Sequence, residues 1–532
     1  MKYYLLKVYF ILALILFIGI NASAQVKKPN VLFIICDDLN DYVGAFGGHK
    51  QAFTPNIDKL AASGVCFINA QTNVPVCSPS RNSLFTGIYP HDSRDFEWTS
   101  HTKHEVLKNN KTIMKYFQEN GYYTLGTGKL THESPKTEWQ EWGMNEANNY
   151  GPVYFDGTKS IANPAVPAPF NSIGAIDGSF GRLKEGGNSN GVKGERGWVY
   201  GWTNEPMMYH NDLDRDLLQD EKHAQWAVEK LKELESNKDQ KPFFMGVGFV
   251  RPHTPLHVPD KYFDLFPFDK IELEKWLKDD EKDTFYDKNM ISKDTNQDLE
   301  EKVRGKRYYK MLLESYGGNK EIALKHFLQA YLASIAFVDE QVGVVLNALE
   351  KSAFKDNTII IFTSDHGWQM GEKAYLYKNS PYEESTRIPL IIKTPMTKAG
   401  EKVAHPVSLI DIYPTLVDLC NVKGSNKKNE MGANLGGFSL RPFLEDSNSK
   451  KWEGPNGALT IIGNFGNAIP KEKQNYSYRT LDWRYIRYSD GNEELYDHRI
   501  DLYEWNNIAS NTKCKRIKKE LQKGMNQIIG NK

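Results

Sequence analysis

The sequence predicts an α/β protein: a large central mixed, mostly parallel sheet flanked by helices, followed by a small C-terminal α+β subdomain. Three observations carry this. Apolar, β-rich runs at 30–36 (NVLFIIC), 242–249 (PFFMGVGF) and 358–363 (TIIIFT) suit strands buried on both faces. Segments of helical spacing stand between them, among them 219–235 and 321–350. From about residue 424 the composition changes: the polar stretch 424–428 (GSNKK) reads as a linker, and short strands with turns follow it. A chain of 532 residues is long enough for one large domain and a smaller one.

At the N-terminus, Lys2 and Lys7 accompany an apolar run at 8–20, short for a membrane span, and Ala22-Ser23-Ala24 offers a small-residue cleavage site before Gln25. Residues 1–24 therefore read as an export signal; a single membrane anchor is the other reading. The mature chain is expected to be periplasmic or secreted, without a stable membrane span. Its domains are expected at 25–423 and 429–532. Basic and acidic residues both number 67, so no basic field for nucleic acid is indicated. Aromatic residues make up 12% of the chain, enough to offer stacking surfaces for sugars, although core packing uses most of them. Cysteines stand at 36, 66, 77, 420 and 514, an odd number with no spacing that suggests a disulfide framework.

In chain order, the first strand ends in Asp37-Asp38. Adjacent carboxylates there repel unless something positive sits between them. A hard cation is the simplest partner, and a solvated turn is the other reading. Ligands of open α/β sheets gather at the carboxyl ends of strands, which favours the cation. Pro55 opens a short helix ending near Gly64, and a short strand is expected at 65–70. Next comes TNVPVCSPSRNSLFTGIYP at 72–90. Pro79 fixes φ close to Cys77, and Arg81 can hold an anion through a planar fork of donors. A helix continuing through 82–86 would add backbone N–H groups that suit an oxyanion. Taken alone, Cys77 is a free cysteine on a turn.

A helix is expected over 111–120, stopped by Gly121, and then a strand at 122–126 that delivers Lys129 and His132. Residues 135–215, with many Gly, Asn and Pro, read as loop, and a stretch of this length is commonly a lid or binding loop. After the helix at 219–235 and the strand at 242–249, prolines on both sides hold His253 in place. Residues 256–318 look like a charged insertion with short helices. The helix at 321–350 carries Gly343, where a break is expected. The strand at 358–363 ends in Ser364-Asp365-His366-Gly367-Trp368; a carboxylate beside an imidazole there makes good metal ligands, with a polar turn as the other reading. Lys378 follows in a polar loop. A strand at 389–393 and a strand-turn-helix at 407–420 complete the large domain, Pro414 suiting the first turn of that helix. Beyond the linker, strands are expected at 458–463, 477–481, 483–488 and 495–497, a hairpin turn at 490–492 and a helix at 514–529.

The strand ends thus gather an acidic set, Asp37, Asp38 and Asp365 with His366, and a basic set, Arg81, Lys129, His132, His253 and Lys378. An acidic nest for a cation, ringed by cationic side chains, fits an anionic substrate whose oxygens also touch the metal. That holds for phosphate and sulfate esters alike.

Cys77-x-Pro79-Ser80-Arg81, followed by Leu84-Phe85-Thr86-Gly87 and Pro90, resembles the signature of the type I sulfatases of the alkaline phosphatase superfamily. The resemblance runs from about residue 28 to 510, with NVLFIICDD, CSPSR, GTGKLTH, FVRPHTP and TSDHGW in family order. It is closest to the iduronate-2-sulfatase-like group, which shows a histidine, here His366, where many sulfatases have asparagine. The resemblance implies that a formylglycine-generating maturation enzyme oxidises Cys77 to formylglycine, whose hydrate is the nucleophile. It implies one calcium ion per chain, held by Asp37, Asp38, Asp365 and His366 with the modified Cys77. Arg81 then steadies the formylglycine, Lys129 and His132 stand near the nucleophile, and His253 and Lys378 stand at the leaving oxygen.

Trp368 follows the metal motif directly. It reads either as a core tryptophan beneath the strand end or as a pocket wall for the sugar ring. A matching Trp in the iduronate-2-sulfatase-like group favours the wall. The expected activity is an exported sulfatase acting on a sulfated carbohydrate, such as an algal polysaccharide or a glycosaminoglycan. Two other readings stand: a phosphodiesterase or phosphonate monoester hydrolase with the same nucleophile, and a non-catalytic sulfated-glycan-binding protein if Cys77 stays a thiol. Residues 135–215 and 256–318 carry none of the motifs on which the resemblance rests and are expected to build the substrate pocket.

Overall fold

The structure, a computed structural model, describes residues 28–96, 98–132, 136–144, 150–237, 241–286, 303–462 and 470–530. The expected export signal at 1–24 and the end of the expected strand at Gly463 lie outside the described residues.

The main sheet has eight strands: β1 (Asn30–Asp37), β2 (Val65–Phe67), β3 (Tyr123–Gly128), β4 (Glu141–Trp142), β5 (Phe243–Pro252), β6 (Thr358–Ser364), β7 (Leu390–Lys393) and β8 (Glu401–Val403), in the order β8-β2-β7-β6-β1-β5-β3-β4. β7 pairs antiparallel with both neighbours, and the other pairs are parallel, so the sheet is mixed and mostly parallel. The central strands β1, β5 and β6 are buried along their whole length. Neither face meets water, which is why they read as apolar runs without alternation.

Alternate residues of β1 nevertheless serve two different cores. Leu32 and Ile34 pack toward α1 (Pro55–Ser63), α4 (Gln219–Ser236) and α6 (Lys320–Lys351). Val31, Phe33 and Ile35 pack toward α2 (Cys77–Thr86), α3 (Ile113–Glu119) and α7 (Ile412–Leu419). Register then places the chemistry. Asp37 is opposite Pro252 and Cys36 is opposite Ser364, so β1, β5 and β6 end level and their polar tips meet at one edge.

α6 runs unbroken for 32 residues, so the expected break at Gly343 is absent. The glycine serves packing: a Cβ there would lie 2.4 Å from the Asn56 side chain of α1. Asn56 cannot easily swing away, because its amide donates to Asp339 of α6 at 2.8 Å. α6 is long and apolar enough to cross a membrane, but 72% of its apolar window is buried inside the protein, where it covers the sheet.

Residues 135–215 are not simply loop. They form two small antiparallel sheets, one built from Val153–Phe155, Ser160–Ile161, Gly197–Tyr200 and Glu205–Pro206, the other from Ser189–Asn190, Met208–Asn211 and Asp214–Arg215. Residues 256–318 include α5 (Arg304–Ser315), packed between this region and α6. The polar stretch 424–428 is tied to the large unit: Lys111 N–H donates to Asn426 O and Lys428 N–H to Asn109 O. The C-terminal sheet is an antiparallel ladder of β9 (Gly457–Ile462), β10 (Asn475–Thr480), β11 (Trp483–Arg487) and β12 (Glu493–Asp497). α8 (Lys515–Ile529) lays Leu521, Met525 and Ile529 on it.

Gly343→Val is expected to destabilise the protein by ~1–3 kcal/mol, the usual range for an overpacked contact. Denaturant unfolding would register this as a lower midpoint at unchanged slope. An unchanged midpoint would mean that α1 gives way.

Candidate active site

The residues at the edge where β1, β5 and β6 end are largely buried, with His253 the most exposed of those at the strand tips, at 7%. β1 brings Asp37 and Asp38. Asp38 adopts a left-handed backbone, φ 63°, unusual for a residue with a Cβ. Its surroundings hold it there: Asp38 N–H donates to Asp365 Oδ1 at 3.2 Å, and Tyr331 of α6 donates its hydroxyl to Asp38 O at 2.7 Å. Cys77 is the first residue of α2, a helix buried at every position. Thr72 and Ser80 hydroxyls donate to Asp365 O at 2.6 and 2.7 Å, fastening the start of α2 to the tip of β6.

Arg81, with no exposure, bridges the tips. Its Nε donates to Asp365 Oδ2 at 2.8 Å, Nη2 to Asp37 Oδ1 at 3.2 Å and Nη1 to Leu130 O at 3.1 Å and also to Lys129 O. Lys129 pairs with Asp37, and its ammonium lies 4.5 Å over the Tyr150 ring. Lys378 donates to both oxygens of Asp38 at 2.8 and 3.1 Å and to Cys77 Sγ at 3.0 Å. His366 Nε2 lies 3.3 Å from Cys77 Sγ, and its Nδ1 3.4 Å from Asp38 Oδ1. His253 Nε2 stands 3.7 Å from Asp38 Oδ2, while Nδ1 meets Thr254 O. A carbonyl only accepts, so Nδ1 carries the proton and Nε2 is free for proton exchange.

The charges of this cluster act on one another. Burial opposes the ionised form of Asp37, but the neighbouring cations, Lys129 first and Arg81 with it, override it and hold the carboxyl well below its usual range. Burial pushes Asp38 well up, helped by Asp37 and only partly offset by Lys378. Asp38 is thus short of positive charge. Burial also pushes the Cys77 thiol up, so the sulfur is a neutral, weak nucleophile. Lys129 and Lys378 stay charged, because Asp37 and Asp38 outweigh their burial. His132 is half-buried after β3; burial and the nearby Lys129 push it down to about 3.

Ligand atoms of Asp37, Cys77, Asp365 and His366 lie within 4.8 Å of one another, and those of Asp38, Cys77 and His253 do the same. Three carboxylates and one imidazole, with the under-compensated Asp38 among them, fit a hard divalent cation.

The structure brings together Asp37, Asp38, Cys77, Arg81, Lys129, His253, Asp365, His366 and Lys378. His132 lies within electrostatic reach of this group. Trp368 is 3% exposed, stacked on Phe327 at 6.3 Å and edge-on to Tyr377 at 5.2 Å, with Lys378 Nζ 5.8 Å from its ring. Sequence reasoning missed Tyr150 and the C-terminal brace. Ser477 and Arg484, from β10 and β11, donate to Pro381 O at 2.8 and 3.1 Å, and Arg484 also pairs with Glu383. Further along the same loop, Ser385 O accepts from Gly367 N–H at 3.0 Å. The small sheet therefore fixes the loop that carries Lys378. No local spacing signals such contacts.

Carboxylates and an imidazole at the strand tips of a mostly parallel sheet, locked among buried cations, define a hydrolase of anionic esters. Known proteins narrow the class. Residues 29–422 match the family model described as sulfatase, and residues 371–531 match the N-sulphoglucosamine sulphohydrolase C-terminal model. The chain is 32% identical over 501 residues to a sulfatase of Formosa agariphila, covering 93% of this chain and 86% of that one. It is 30% identical over 440 residues to the iduronate 2-sulfatase of Mus musculus, covering 76% of this chain and 72% of that one. A protein solved in complex with its substrate D-glucosamine-2-N,6-O-disulfate aligns with TM-score 0.65 at 22% identity, over 95% of this chain and 99% of that one. The chain belongs to the sulfatase family and is a sulfuric ester hydrolase.

Trp368→Ala is expected to lower stability by ~3–5 kcal/mol, as for other large aromatic side chains removed from packed sites. A melting curve reads this directly. An unchanged Tm with a raised KM for a sugar sulfate would instead make the indole a pocket wall.

Proposed function

We propose that this sulfatase is exported and removes sulfate from a sulfated carbohydrate, with Cys77 converted to formylglycine and one calcium ion held by Asp37, Asp38, Asp365, His366 and the modified residue 77. The observation that carries this is the setting of Cys77. Its sulfur touches Lys378 and His366 at the centre of the acidic nest, yet burial keeps it a neutral thiol. As formylglycine hydrate, the residue would present a hydroxyl where the sulfur stands. A bound calcium ion would favour the ionised form of that hydroxyl and polarise the sulfuryl oxygens.

The rest of the chemistry belongs to this chain's own residues. Lys129 and Lys378 bind and stabilise the sulfuryl oxygens. Arg81 directs its guanidinium to Asp37, Asp365 and backbone carbonyls, so it positions the acidic cluster. His132, neutral across the physiological range, would take the proton of the hydrate's second hydroxyl as the carbonyl re-forms and the bond to sulfate breaks. His253 is neutral in the free enzyme, because burial and Lys378 hold it well down. An arriving anionic ester favours its protonation, and Nε2 then gives the proton to the leaving alcohol. Arg81, Lys129 and Lys378 balance Asp37, Asp38 and Asp365, so an added divalent cation leaves an excess of positive charge. A sulfate ester and an ionised hydroxyl would neutralise it. The sugar assignment draws on the similarity to an iduronate 2-sulfatase and to a fold neighbour whose substrate is a glucosamine disulfate.

Two measurements test the reading. Mass spectrometry of the Cys77 peptide from the native host should find a residue lighter than cysteine, and sulfate release from sulfated oligosaccharides should need calcium restored after chelation. Full activity with an intact thiol would refute the formylglycine part, and activity on aryl sulfates alone would refute the sugar part.

His253→Ala is expected to lower kcat on a sugar sulfate by ~10²–10⁴-fold. The loss should be smaller on nitrophenyl sulfate, whose leaving phenolate needs little protonation. Equal losses on both substrates would take His253 out of the acid role.

A further inference from the structure

The start of α5 is pressed against the loop that carries Lys378. Leu376 N–H donates to Gly305 O at 3.1 Å, and a Cβ on Gly305 would lie 2.1 Å from the Tyr375 ring. Only glycine allows that approach, and it sets Arg304, the first residue of α5, beside Tyr377. Arg304 Nη1 donates to the Tyr377 hydroxyl at 2.9 Å. The guanidinium is 5.4 Å from the centre of that ring, and Lys378 Nζ is 5.7 Å from the same centre.

Arg304 is exposed, and among the described residues it makes no ion pair and no other hydrogen bond. A guanidinium has five N–H donors, so most of this fork is uncommitted. Arg307, one turn on, lies 5.5 Å from the Tyr308 ring, and its buried Nε has no partner among the described residues. The ledge also reaches the other side of the site. The Tyr308 ring lies 5.4 Å from that of Tyr377, and its hydroxyl donates to Asp177 Oδ2 at 3.1 Å. Thr254, next to His253, donates to Asp177 Oδ1 at 2.9 Å. Arg304 thus stands on a built ledge, Tyr377-Tyr308-Asp177-Thr254, which joins the residues following His253 to those preceding Lys378.

We propose that Arg304 recognises a second acidic group, a carboxylate or a further sulfate, on the sugar whose scissile sulfate lies against Lys378. This rests on the sugar-sulfatase reading above. The planar fork pairs with either group through two parallel hydrogen bonds, and the lysines nearer the reaction centre are already committed to the acidic cluster. The enzyme then selects sugars carrying two negative groups over those carrying one.

Two matched pairs of substrates test this with the calcium-loaded enzyme. One pair is a sulfated uronic acid disaccharide and its carboxyl-reduced form; the other is a disulfated sugar and the monosulfated sugar sharing its scissile ester. Wild-type kcat/KM should favour the more acidic member of at least one pair by ~10–100-fold, mostly through KM, as expected for hydrogen bonds to a charged group. Arg304→Gln should bring that ratio close to one. Arg304→Lys should restore part of it, since the charge returns without the fork. The pair that shows the preference identifies the recognised group. A wild-type enzyme indifferent to both pairs, or a Gln variant that keeps the preference, overturns the proposal. The wild-type ratio decides even if a variant fails to fold. If the wild type hydrolyses nitrophenyl sulfate but none of the four sugars, the sugar reading falls and this proposal falls with it. Turnover of the sugars without preference removes this proposal alone.

Discussion

The guanidinium of Arg81 ties together the ends of three strands, meeting Asp37 at the end of β1, Asp365 after β6 and the carbonyls of Lys129 and Leu130 after β3. It does so without any exposure to water. Buried ions survive only in mutual company, because each removed from water is costly unless its partners are fixed. The level ends of β1, β5 and β6 supply that fixity, and the apolar residues that set the register lie in the two cores on either face of the sheet. Packing far from the site is therefore what makes its charge density tolerable.

The compensation is uneven in a useful way. Asp37 has both Arg81 and Lys129 beside it, whereas Asp38 has Lys378 and two histidines that are neutral unless protonated. A site balanced everywhere would have no reason to take up a cation or an anion. This one concentrates its remaining deficit at one carboxylate.

Much of this was legible in the sequence. Strands covered on both faces appear as apolar runs, and polar residues at their ends are conspicuous for that reason; Asp37, Asp38, His253, Asp365 and His366 could all be singled out this way. Other features depend on partners far away in sequence. Gly343 reads as a helix breaker until Asn56 is seen against it. The strands within 135–215 are too short to show periodicity. Trp368 follows Asp365-His366-Gly367 directly in the chain, but nothing local reveals that Phe327 and Tyr377 enclose it. The hold of Arg484 on the Lys378 loop crosses from one folding unit to another and leaves no trace in spacing.

Cys77 is 3% exposed, on a helix with no exposed residue. No second protein could close its own active site around that sulfur in the finished molecule. If an oxidising enzyme converts it, the reaction must precede closure of the sheet, on a chain still emerging or held open. The order of events in the cell then matters as much as the residues. On that reading, a chain that folded too early would be well formed yet unfinished, its sulfur already out of reach of any later encounter with the oxidising enzyme.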